Sequence, residues 1–136
     1  MLTDVKYLKF DGNENLITNF YDILFDWREK KVIDVLKGYC DLKGNAVNEE
    51  MRCFFSNEFP RNDEEYFGEE GVAFYFDNPA VSDDCIVILT YKEFYKVVKK
   101  RYESYANNNQ DIKEEIQNLL VCLGKNLKVN IYCVDI

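Results

Sequence analysis

Histidine is absent from all 136 residues, and that one absence removes histidine triads, histidine general bases and imidazole metal ligands together. No G-x-x-x-x-G-K-[ST] loop and no G-x-G-x-x-G turn cradles a phosphate. Gly124-Lys125 follows a helical pattern instead of opening one. No apolar run reaches the ~18 residues that a membrane-spanning helix requires. The opening stretch MLTDVKYLKFDGNEN lacks the charged-then-apolar layout of a secretory signal, so a cytoplasmic location is expected. Internal repeats and low-complexity tracts are missing too. Prolines number two and glycines six, and Pro60 and Gly68 both interrupt a single stretch, residues 57–71.

The five cysteines, at 40, 53, 85, 122 and 133, include no C-x-x-C pair. Neither a disulfide framework nor a zinc site is expected from an odd, scattered set. Cys122 and Cys133 fall in apolar periodic segments, where a free cysteine acts as a small buried hydrophobe.

The chain does have the material of a globular core: 47% hydrophobic and 15% aromatic residues against 31% charged. A single domain over 1–136 follows from that length, with no metal or cofactor needed to hold it together. The net charge of −8 is local. Between Glu58 and Asp84 nine acids face one base, Arg61, while the rest of the chain holds sixteen of each. Such a balance argues against nucleic acid as a partner, because phosphate contacts need a basic footprint. A basic partner fits it.

Along the chain, VKYLKF (5–10) reads as a short strand and Asp11-Gly12-Asn13 as a break. Leu16, Ile17, Phe20, Ile23, Leu24 and Trp27 then recur at helical spacing, predicting a helix over 13–28. Val32, Ile33, Val35 and Leu36 predict a second helix, stopping near Gly38. Gly44-Asn45 reads as a turn, and MRCFF (51–55) as a strand or a helix tail. GVAFYFD (71–77) and CIVILT (85–90) form an expected antiparallel pair. Thr90-Tyr91-Lys92-Glu93 is a capping box. The helix it opens carries Tyr91, Phe94, Val98, Tyr102 and Tyr105 on one stripe and ends at Asn107-Asn108-Asn109. A last helix from Asp111 places Ile112, Ile116, Leu119, Leu120 and Leu123 inward and stops at Gly124, before an alternating strand LKVNIYCV (127–134). The order predicts an α+β fold with a mainly antiparallel sheet.

Residues 57–71, NEFPRNDEEYFGEEG, set six carboxylates beside three aromatic rings on irregular chain. A calcium loop started at Asp63 would put Gly68 correctly at its sixth place but Phe67 and Phe74 where oxygen ligands belong. A metal site is therefore not expected, nor an enzyme, since no carboxylate pair is singled out. A solvated run would explain the charge but not its confinement to one segment. Aromatic anchors interleaved with acids suit a binding surface. The candidate partner-binding residues are Glu58, Phe59, Asp63, Glu64, Glu65, Tyr66, Phe67, Glu69 and Glu70, with Asp83 and Asp84 across the hairpin.

GVAFYFD, VILTYKEFYKVVKKRYESY and IKEEIQNLLVCL together resemble immunity proteins of bacterial contact-dependent growth inhibition, most closely those paired with ribonuclease toxins. The similarity covers residues 71–123. It implies a small cytosolic protein that binds and neutralises one cognate toxin domain, usually a nuclease with a basic active site; the chain itself is expected as a monomer or as a heterodimer with the toxin. It transfers no individual contact residue. An acidic regulatory adaptor for another basic protein is the alternative, and an enzyme using only carboxylates a distant third.

Overall fold

The computed structural model describes residues 1–129. Five strands, β1 (Lys6–Lys9), β2 (Asn45–Asn48), β3 (Met51–Phe55), β4 (Val72–Phe76) and β5 (Cys85–Leu89), form one sheet. Four helices accompany them: α1 (Glu14–Leu24), α2 (Glu29–Cys40), α3 (Tyr91–Asn107) and α4 (Lys113–Asn126). The strand order is β1-β5-β4-β3-β2. Every pairing is antiparallel except β1 with β5, which is parallel. This is the expected α+β architecture, and the two apolar runs at 71–77 and 85–90 are neighbours within it.

The sheet has two differently covered faces. Alternation along β3, β4 and β5 sends Met51, Cys53, Phe55, Val72, Phe74, Phe76, Cys85, Val87 and Leu89 to the helical side, all buried. Aromatic edges meet there: Phe20 contacts Phe74 at 4.9 Å and Phe94 contacts Phe55 at 5.3 Å between centroids. Full burial of each such ring is worth about 1.5–3 kcal/mol. The opposite face carries Ala73, Tyr75 and Ile86, packed with Tyr7, Phe54 and Ile88. Among the described residues, no helical residue joins that cluster.

Helix α3 begins as its sequence predicts. Thr90 Oγ1 accepts from the Glu93 amide at 3.1 Å, and the Glu93 carboxylate accepts from the Thr90 amide at 2.9 Å. Buried tyrosines tie α3 to its neighbours: Tyr102 donates to the Val32 carbonyl at 2.7 Å and Tyr95 to that of Leu120 at 3.0 Å.

Several expectations are corrected. The predicted helix over 13–28 divides: α1 ends at Leu24, Phe25 docks against Tyr102 and Tyr105, and an extended Arg28 starts α2. Helix α2 passes through Gly38 to Cys40, and α4 passes through Gly124, whose missing side chain suits a buried position within the helix. Gly44 does not make a turn. A Cβ there would lie 1.9 Å from the Cys53 carbonyl oxygen, so glycine permits the close approach of the chain to β3. The turns fall instead at Asp41-Leu42 and Glu49-Glu50. The expected strand 127–134 does not start at Leu127, which caps α4; from residue 130 onward it lies outside the described residues. Cys122 is exposed, not buried, whereas Cys40, Cys53 and Cys85 are buried; Cys133 lies outside the described residues.

Candidate partner-binding surface

Residues 57–71 link the end of β3 to the start of β4, and through Phe59 and Phe67 they lie over the sheet face of Ala73, Tyr75 and Ile86. Their neck is closed by Ser56, which is 2% exposed. The Ser56 amide donates to the Gly71 carbonyl at 3.0 Å and its hydroxyl to the Glu69 carbonyl at 2.9 Å. The Tyr91 hydroxyl, at the first turn of α3, stands 3.2 Å from the same serine oxygen. Close ends on a compact irregular segment define an Ω-loop.

Inside the loop the chain is turned twice. The Asp63 amide donates to the Pro60 carbonyl at 3.0 Å, and the Tyr66 amide to the Asp63 carbonyl at 3.1 Å. The Asp63 carboxylate also accepts from the Glu65 amide at 2.8 Å, the local bond that makes aspartate a turn residue. Arg61 forms an ion pair with Glu69 across the loop. Glu58 is equally committed: its carboxylate accepts from the amides of Phe55, at 2.7 Å, and Gly44, at 3.1 Å.

The aromatic residues explain where the loop lies. Phe59 and Phe67 belong to the cluster on this sheet face, with centroids 5.3 Å from Phe54 to Phe59 and 6.3 Å from Phe59 to Phe67. They hold the loop down, so their rings are half-buried against their own sheet. Tyr66 is half-buried as well, but belongs to no ring pair among the described residues.

Sorting the six loop acids by partner separates two groups. Glu58, Asp63 and Glu69 bond within the loop or at its neck. The carboxylates of Glu64, Glu65 and Glu70 have no hydrogen-bond or ion-pair partner among the described residues. The loop's negative field reaches the sheet through Glu65: burial first, and then Glu65, raise the Tyr75 phenol above its ordinary value, with Tyr7 and Asp63 adding to the effect. Arg52, stacked 5.4 Å over the Tyr75 ring and paired with Asp77 at 3.1 Å, opposes it.

Asp83 and Asp84 stand at the other end of the strands. Cys85 pairs with Phe76, whereas the loop enters β4 at Val72, which pairs with Leu89. Asp83 lies 3.6 Å from Lys6, and the Asp84 carboxylate accepts from the Asn78 amide at 2.8 Å. Among the described residues, no three His, Cys, Asp or Glu side chains gather as a metal site would require. No helix among them is long and apolar enough to cross a membrane.

Sequence reading missed Ser56 and the anchoring direction of Phe59 and Phe67. A signal for the latter was present: Ala73, Tyr75, Ile86 and Ile88 are apolar on the outward positions of β4 and β5, which a solvated face would not favour.

The class these features define is a small α+β protein whose distinctive surface is a charged loop laid over the sheet face opposite its helical core. More particularly, the chain belongs to the CDI immunity protein family, whose model matches residues 13–120. The match takes in α1, α2 and the acidic loop, well beyond the 71–123 segment where the motifs alone suggested the likeness. Its role is immunity, the neutralisation of a toxin. Neither the curated proteins nor the solved structures provide a match.

Proposed function

We propose that the protein neutralises a ribonuclease toxin by laying the 57–71 loop on the basic face that would otherwise receive RNA. A ribonuclease must attract phosphates, so its active face is basic. The observation that carries this reading is the set of partnerless carboxylates of Glu64, Glu65 and Glu70 on a loop held in shape by the other acids. A preformed acidic surface steers onto a basic one rapidly and takes the place of the RNA backbone.

The roles within the loop divide accordingly. Glu64, Glu65 and Glu70 steer, and Tyr66 contacts the toxin. Glu58, Asp63 and Glu69 set the loop's shape, and Phe59 and Phe67 hold it on the sheet. Asp83 and Asp84 form an outlying acidic contact for a toxin that spans the sheet. Inhibition is by occupancy in a one-to-one complex in the cytoplasm, without turnover.

Competition tests this. Short RNA should displace the protein from its cognate toxin domain, so the apparent affinity should weaken as RNA is added. If RNA binds the preformed complex as well as it binds free toxin, the loop does not cover the RNA site.

A further inference from the structure

Two free thiols from different helices meet at the seam between α2 and α4. Cys40 ends α2 and is 7% exposed, whereas Cys122 is exposed on α4. Contacts on either side of Cys122 fix their neighbourhood. The Cys40 thiol donates to the Leu119 carbonyl at 3.3 Å, one turn before Cys122. Asn126, one turn after it, donates its side-chain amide to the Cys40 carbonyl at 2.6 Å, and the same nitrogen stands 3.6 Å from the Cys122 sulfur. Asn126 thus touches both cysteines with one nitrogen, which places Cys40 and Cys122 side by side across the seam.

We propose that Cys40 and Cys122 form a dithiol modification site, which a low-molecular-weight disulfide oxidises to a bridge joining α2 to α4. The exposed Cys122 reacts first. Its thiolate attacks one sulfur of the small disulfide, forming a mixed disulfide and expelling one small thiolate. The Cys40 thiolate then attacks the Cys122 sulfur, forming the internal bond and expelling the second small thiolate. The two protons lost by the protein thiols end on the two released thiols, and the protein dithiol has given up two electrons to the small disulfide.

The second step is the slow one. Burial, the largest cause of its upward shift, still raises the Cys40 thiol once Cys122 is in the mixed disulfide, so little thiolate exists near neutral pH. Closure should accelerate with pH. A bond between residues so far apart in sequence restricts the unfolded chain strongly.

The test uses the reduced full-length protein and oxidised glutathione, with acid quenching and peptide mass spectrometry. Glutathione should appear on Cys122 first and then leave, giving a linked Cys40–Cys122 peptide. From the isolated mixed disulfide, closure should speed up by about tenfold per pH unit between about pH 7 and 9. The bridged form should melt about 5 °C or more above the reduced form. Cys122→Ser, at an exposed position, should take up no glutathione in that segment and form no bridge. The proposal is overturned if Cys122 in the wild type keeps its glutathione, if Cys40 links to another cysteine instead, or if neither residue reacts.

Discussion

The Ser56 hydroxyl donates to the Glu69 carbonyl at 2.9 Å, and through this bond β3 and the far end of the acidic loop close on each other. Ser56→Ala leaves that carbonyl without its partner and takes a neighbour from the Tyr91 hydroxyl. The substitution should destabilise the protein by about 1 kcal/mol. Its local effect should be larger than its global one: tryptic cleavage at Arg61 should accelerate more than the loss of overall stability requires. Limited proteolysis alongside urea titration separates the two. Equal susceptibility in mutant and wild type would mean that the neck is held without the serine.

Phe67→Ala should cost about 1–3 kcal/mol, because the ring packs on the sheet and beside Gly71, where a Cβ would stand 3.4 Å from it. Tyr66→Ala should change stability by less than Phe67→Ala and instead raise the dissociation rate of the toxin complex. Denaturant titration and dissociation kinetics of both variants check the pair. The assignment of roles within the loop is wrong if the effects are exchanged.

Thr90→Ala removes the oxygen that takes the Glu93 amide, and should destabilise α3 by about 1 kcal/mol without altering toxin association. Thermal or urea denaturation together with association rates checks it. An unchanged stability would contradict the cap.

The start of α3 and the β4–β5 pair were legible in the sequence because their signals are local. A threonine and a glutamate three residues apart specify a cap wherever the chain goes, and short runs of β-branched and aromatic residues specify strands. What was not legible depends on distant partners. The parallel pairing of β1 with β5 joins Lys6 to Cys85, and no local pattern encodes it. Gly44 looks like a turn residue until Cys53 is placed against it. Cys122 looks buried by helical spacing, yet its side of α4 faces solvent. Likewise Phe59 and Phe67 announce a surface that binds something, and only the fold shows that their own sheet takes up much of their contact. The acids were legible as a group, but their division into three structural and three partnerless carboxylates was not.

Alkaline pH should weaken the fold through a buried cluster. The Tyr21 and Tyr39 hydroxyls lie 3.1 Å apart, and both Tyr39 and Cys53 donate to the Asn45 side-chain oxygen, at 2.7 and 3.2 Å. Burial pushes the Cys53 thiol from 9.0 to about 12, and raises both phenols well above 10.0. Each group holds its proton more tightly folded than unfolded, so the unfolded chain sheds protons first. The stability is fully present below pH 9 and declines as pH rises from 9 toward 12, by up to ~1.4 kcal/mol per unit for each group. Urea midpoints measured from pH 8 upward should fall steadily. A flat profile to pH 11 would contradict the burial of this cluster.

The claim that the acidic loop docks on the toxin's basic face is tested most directly by stopped-flow association of the Glu64→Lys, Glu65→Lys, Glu70→Lys triple variant. These three positions leave the Arg61–Glu69 pair and the Glu58 bonds in place, so a changed rate reports charge and not a collapsed loop. At low salt the association rate should fall by about tenfold or more against wild type, and the two rates should converge as salt screens the interaction. A variant that folds normally, associates at the wild-type rate at low salt and still protects cells from the toxin would show that the toxin is met elsewhere on the molecule.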